Sequence, residues 1–107
     1  MSNDAAIPNS DAADERRSLV LADVLDLTAA QPLKSELAER IAADGPIVMD
    51  ASRVEKIGTP VIQLLHAATL DCERRGRKVV VKDPSPAFVQ GVADIGFAED
   101  LEKWSAN

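Results

Sequence analysis

The chain has 107 residues with 12 basic and 18 acidic side chains, a net charge of −6 with its one histidine neutral; that length fits one domain with a modest core. Its one cysteine excludes an intrachain disulfide and points to a reducing compartment. An acidic chain with 3 % aromatic residues makes a poor nucleic-acid binder, its apolar runs fall far short of the roughly 20 residues that span a bilayer, and its start lacks a signal-peptide pattern, so the expectation is a cytoplasmic protein that neither binds nucleic acid nor inserts into a membrane.

Residues 1–17 read MSNDAAIPNSDAADERR, with Ile7 as their only bulky aliphatic residue beyond Met1. Such a segment buries too little apolar surface to offset its ordering entropy. It is predicted to be a disordered acidic tail, with the folded domain spanning 18–107. Leu19–Leu21 and Val24–Leu25 form short β-prone runs, with Ala22-Asp23 as a turn or bulge between them. Leu33, Leu37 and Ile41 recur at helical spacing, with Lys34, Glu36, Glu39 and Arg40 on the other face. Thr28 and Gln31 suggest a capping box, Pro32 argues for a later start, and Gly45-Pro46 mark the stop.

Residues 46–50 (PIVMD) are expected to form a short buried strand. Thr59 is the expected N-cap of a second helix and Pro60 its first helical residue. Val61, Leu64, Leu65, Ala68 and Cys72 make its apolar stripe, and Gly76 stops it. Residues 78–82 (KVVVK) give another strand. Ser85-Pro86 then start a third helix carrying Phe88, Val92 and Ile95. Strands alternating with amphipathic helices imply βαβ units. The predicted fold class is α/β: a mixed β-sheet with three to four helices packed mainly on one face.

Catalytic chemistry is sparsely supplied. His66 is alone and lies mid-helix, which reads as a surface or boundary histidine; it would act as a general base only with a partner. One histidine and one cysteine are too few for a structural zinc site. Cys72 lies on the apolar stripe and reads as a small buried hydrophobe. The five glycines stand apart and form no phosphate cradle. Gly91, inside the third helix, implies close backbone packing. Asp50 and Glu55 read as solvated loop acids, and Trp104 as a residue docking the terminal segment on its own domain. No convergent catalytic set emerges, so the chain reads as a non-enzymatic protein without a cofactor.

One segment is more informative: MDASRVEKIGTPVIQLL, residues 49–65. It runs from a strand through a loop into a helix N-terminus. Asp50 and Ser52 suit backbone-bonding turns, and Gly58 permits a positive φ or close approach. The helix start at Thr59 suits an anion or a phosphoryl group. With its apolar lead-in, IVMDASRVEKIGTPVIQLL resembles the signature of STAS domains: an apolar strand, D-x-S-x-V, and a loop entering a Leu/Ile-rich helix. VLDLTAAQPLKSELAERI resembles the family's first strand-to-helix passage, and GRKVVVKDPSPAFVQGVADIGF its last strand, Ser-Pro turn and final helix. The resemblance covers about residues 18 to 101.

The resemblance implies a STAS-type fold that works by binding. In anti-sigma-factor antagonists the loop and the second helix's N-terminus dock on a partner kinase, which phosphorylates a Ser or Thr there and breaks the complex. This chain departs from that pattern. Thr59 matches the first hydroxyl position and is the candidate phosphorylation site. Pro60 stands where the phosphorylated Ser usually is, Gly58 replaces the preceding acid, and Val61 replaces the following glycine. DASRVEKIGTPVIQLL, preceded by VLDLTAAQPL, is similar to the small STAS proteins of proteobacterial chemotaxis gene clusters. The expected partner is therefore a protein with a histidine-kinase-like ATPase domain, foremost a chemotaxis kinase. It would be bound through Asp50, Ser52, Gly58, Thr59, Pro60 and Gln63. The alternatives are an anti-sigma-factor antagonist phosphorylated at Thr59, or a STAS accessory subunit of a lipid-transporting ABC transporter.

Overall fold

The computed structural model describes residues 18–43 and 45–105. The segment predicted to be a tail, 1–17, lies outside the described residues. Five short strands and four helices follow one another among them. They are β1 (Leu19–Val20), β2 (Val24–Leu25), α1 (Leu27–Ala42), β3 (Ile47–Asp50), β4 (Lys56–Ile57), α2 (Thr59–Arg74), β5 (Val79–Lys82), α3 (Pro86–Asp94) and α4 (Ala98–Lys103). This is the α/β architecture expected of a STAS-type fold.

The strands form two sheets, ordered β1-β3-β5 and β2-β4. Every pairing between described strands is parallel, with Leu19 opposite Met49, Ile47 opposite Val79, and Leu25 opposite Ile57. The runs on either side of Ala22-Asp23 do not pair with each other as a hairpin would. They are two steps of one jog that carries the chain from the first sheet to the second. The short strand β4 interrupts what the sequence suggests is an uninterrupted loop. Alternation along the strands sorts the two faces of the larger sheet. Leu19, Ile47, Met49, Val79 and Val81 are buried in the core, while Val48 and Val80 are half-buried and Val20 is exposed.

Helix α1 starts earlier than its sequence suggests. Asp26 is the N-cap and accepts from the Ala29 backbone N–H at 3.1 Å, so Pro32 falls inside the helix. The missing proline N–H leaves the Thr28 carbonyl without its helical donor, at a residue that is exposed to solvent. Leu33 and Leu37 are buried and Ile41 packs against them. The helix's far end is held by a residue distant in sequence. The Arg77 guanidinium donates to the carbonyls of Arg40 (2.9 Å), Ile41 and Gly45 (2.6 Å). The first two are among the carbonyls that a helix C-terminus leaves unpaired, and Gly45 lies just beyond the helix end.

Helix α2 buries Val61, Ile62, Leu65, Thr69 and Cys72, with Leu64 and Ala68 packed at the margin. Burial pushes the Cys72 thiol pKa up, in keeping with a structural hydrophobe. Gly76 takes a positive φ of 71° just past the helix end. In α3, Phe88 and Val92 are buried as their spacing predicts. Ile95 is not: the helix ends at Asp94, and Ile95 caps it while exposed.

The C-terminal segment closes the core. The Val81 N–H donates to the Trp104 carbonyl at 2.9 Å, beside the outer edge of β5. The Trp104 indole N–H donates to the Thr69 hydroxyl at 2.8 Å, and that hydroxyl donates to the Leu65 carbonyl at 2.8 Å. This chain explains how Thr69 is buried on an otherwise apolar stripe: its oxygen is satisfied on both sides. Trp104 docks on its own domain, as its position near the terminus suggests.

Gly91 has a packing reason. A Cβ at this position would lie 2.5 Å from Cγ2 of Ile57, so the helix backbone itself rests on β4. Ala is the better helix former by about 1 kcal/mol, yet the added methyl must displace Ile57. Gly91→Ala is therefore expected to lower stability by about 1–3 kcal/mol, read as a shift in urea midpoint with an unchanged slope. A neutral or stabilised variant would show that α3 is free to lift off β4.

Candidate functional site

The strands set the site by where they end. β2 and β4 run parallel, and each leads through one residue into a helix: Leu25 through Asp26 into α1, Ile57 through Gly58 into α2. The Gly58 N–H extends the pairing by donating to the Leu25 carbonyl at 2.8 Å. Two helix N-termini, each carrying partial positive charge, therefore start side by side. Their caps differ. Asp26 closes α1 with its carboxylate, whereas the N-cap of α2 is Gly58, which has no side chain to offer.

This corrects the cap assignment at α2. Thr59 and Pro60 each sit one place further into the helix than their residue types suggest, Thr59 as the first helical residue and Pro60 as the second. Gly58 holds extended backbone (φ −99°, ψ 163°), which is the N-cap conformation, and its carbonyl accepts from the Val61 and Ile62 N–H groups at 3.1 Å. Relieved of capping, Thr59 is exposed, as are Pro60 and Gln63. Thr59 and Gln63 lie one turn apart on one face of the helix. Leu27, at the matching position of α1, is 72 % exposed, and Val24 beside Lys56 is 43 % exposed. Val24 lies in a two-residue strand, too short for alternation to reveal its exposure, and Leu27 opens a helix before any period is established.

Asp50 and Ser52 form a separate group. The Asp50 carboxylate, at the end of β3, accepts from the Ser52 backbone N–H at 2.9 Å, the turn that their spacing predicts. That backbone bond, then the Ser52 hydroxyl, hold the Asp50 carboxyl below its ordinary 3.8; partial burial opposes them, and Lys82, its cross-strand partner, and Arg53 help. Ser52 also lines a cleft with Val20, Asp23, Arg53 and Glu55. The cleft does not take in Thr59, Pro60 or Gln63. The six sequence-chosen residues therefore fall into two neighbouring clusters linked by the loop and β4. Glu55, the other loop acid, is exposed, and its backbone is tied to the Asp23 carbonyl at 2.7 Å.

His66 has a partner that no local pattern announces. Its Nδ1 lies 2.5 Å from a carboxylate oxygen of Asp100, which is only 3 % exposed, and its ring stacks on Phe97 at 4.6 Å. The pair ties α2 to α4. Among the described residues no group of three His, Cys, Asp or Glu side chains gathers to hold a metal ion, and none of the helices is long and apolar enough to cross a membrane.

Two expectations follow. A Cβ at Gly58 meets only ordinary contacts at 3.6 Å, so Gly58→Asp supplies the missing cap and is expected to raise stability by about 0.3–1 kcal/mol in chemical denaturation. No gain would mean that α2 starts elsewhere. Asp50 has a depressed folded-state pKa, so it contributes stability above the unfolded value of 3.8, and this is lost as pH falls through the folded value. An NMR titration should place its midpoint below 3.8. Ser52→Ala keeps the larger backbone bond and should move that midpoint only part of the way back.

Comparison with known proteins agrees with this architecture. No curated protein and no solved structure matches the chain. A family model described as "Mlab, STAS domain" matches residues 9–103, beginning inside the segment whose composition suggests a tail. With parallel strands feeding paired helix starts, and a match over most of its length, the chain belongs to the STAS domain family.

Proposed function

We propose that this STAS domain is a non-enzymatic signalling module that docks on the ATPase domain of a histidine-kinase-like partner, foremost a chemotaxis kinase. Family membership supports a protein-interaction signalling role of the antagonist-like kind. The observation that carries the docking surface is the open start of α2. Its cap has no side chain, and Thr59, Pro60 and Gln63 are all exposed at the helix end, as is Leu27 at the start of α1. Asp50 and Ser52 extend this surface along the loop. The likeness of DASRVEKIGTPVIQLL to small chemotaxis-cluster STAS proteins supports the choice of kinase. A phosphoryl group on Thr59 would add about −1.5 to −2 charge to the surface and oppose docking, while Pro60 supplies no hydroxyl for the family's usual switch.

The test is affinity capture from lysate with mass-spectrometric identification. Wild type should recover a chemotaxis histidine kinase, Thr59→Asp should lose it, and Gln63→Ala should weaken it about tenfold or more, as removal of a central contact does. Thr59→Ala removes no cap, so its stability should stay within about 0.5 kcal/mol of wild type; any loss of binding then belongs to the interface. Unchanged binding by both alanine variants would place the interface elsewhere. Recovery of an anti-sigma kinase or a transporter ATPase would replace the pathway and keep the surface.

A further inference from the structure

The loop from Ala51 to Glu55 joins the two clusters of the docking surface, so its conformation decides whether they are presented together. On one side it is held by backbone alone: the Glu55 and Lys56 N–H groups donate to the Asp23 carbonyl at 2.7 and 3.1 Å. Within the loop, the Val54 N–H makes a long bond of 3.4 Å to the Ala51 carbonyl. On the other side the Ala51 N–H donates to the Lys82 carbonyl at 3.1 Å, and the remaining hydrogen bonds come from one residue. The Ser85 N–H donates to the Ala51 carbonyl at 3.1 Å, and the Ser85 hydroxyl donates to the Val54 carbonyl at 2.5 Å. The same hydroxyl accepts from the Phe88 N–H at 3.1 Å, capping α3. Asp83, two residues before, takes a positive φ of 49° in the turn that brings Ser85 to the loop.

We infer that Ser85 is a positioning residue for the docking loop: its hydroxyl proton, donated to Val54, fixes the backbone that presents Ser52 beside the start of α2. This rests on the docking reading above. The two jobs of the hydroxyl are separable by chemistry. Capping α3 needs an acceptor, whereas holding the loop needs a donor. Asp is as good an N-cap as Ser but at neutral pH has no proton to donate, and it would set a carboxylate against the Val54 carbonyl. Thr keeps both functions.

The experiment compares wild type, Ser85→Asp and Ser85→Thr. It uses amide hydrogen exchange of Val54, Glu55 and Lys56 in the free protein, and binding to purified full-length chemotaxis histidine kinase from the same genome. Thermal melts confirm that both variants fold. The expected result is exchange about five- to tenfold faster in Ser85→Asp, the size of one lost hydrogen bond, with weaker kinase binding, and both restored within about twofold in Ser85→Thr. Loop exchange in Ser85→Asp equal to wild type overturns the inference, since Ser85 is then a helix cap and nothing more. Faster exchange with undiminished kinase binding overturns it too, because the loop's conformation would not matter to docking. Faster exchange in Ser85→Asp together with no kinase binding by wild type supports the hold on the loop and instead refutes the kinase as partner.

Discussion

Strand β3 is the element on which the rest of the domain depends. It is four residues long and sits between β1 and β5, paired to both in parallel. Its alternate residues Ile47 and Met49 are buried to within 2 %. Each such side chain contributes roughly 1.5–3 kcal/mol by leaving water. Because all three strands point the same way, they deliver their chains to the same end, where Asp50 begins the loop. The jog after β1 then creates the β2–β4 pair, and that pair sets two helix starts next to each other. The candidate surface is thus a product of strand direction, an instance of the general tendency of parallel sheets to place function beyond the carboxyl ends of their strands.

The edges of this small core are closed by polar groups acting at long range. Arg77 closes the end of α1, Trp104 and Thr69 lock the C-terminal segment to α2, and His66 and Asp100 add a second tie between the same regions. Each pairs a group that would otherwise be an unsatisfied or weakly held polar atom. A domain of this size has little apolar area to spare, so these clasps carry a share of order that a larger protein leaves to its core.

Much of this was legible in the sequence where the signal is local. Helical spacing of Leu33 and Leu37 gives α1 its buried face, and Gly45 and Gly76, the helix stops, both take positive φ. Gly91 inside a helical pattern implies close packing, and Ile57 is what it packs on. The misses share a cause. A two-residue strand such as β4 is too short for a period. The exposed Ile95 and the buried Thr69 depend on where a helix ends and what lies across from it. At the site, the loop and helix start are legible from their residue types, but the cap lies one residue earlier because Gly58 fills the role through backbone conformation rather than side chain. Leu27, Asp23 and Ser85 carry no local mark of a place at the candidate site, since they meet it only when β2, the loop and α3 are brought together.

The parallel pairings also bear on how the chain reaches this state. Leu19 meets Met49, Val24 meets Lys56, and Ile47 meets Val79, each pair separated by about thirty residues of sequence. None of these described contacts is a hairpin that forms early from neighbours. Every one requires a helix-bearing crossover to be closed first, which raises contact order and slows the search. The helices, with their caps already written locally, are then the elements available to form ahead of the sheet. Ser85 follows the last of these crossovers in the chain, so its hydrogen bonds to the loop that carries Ser52 close only once that crossover is made.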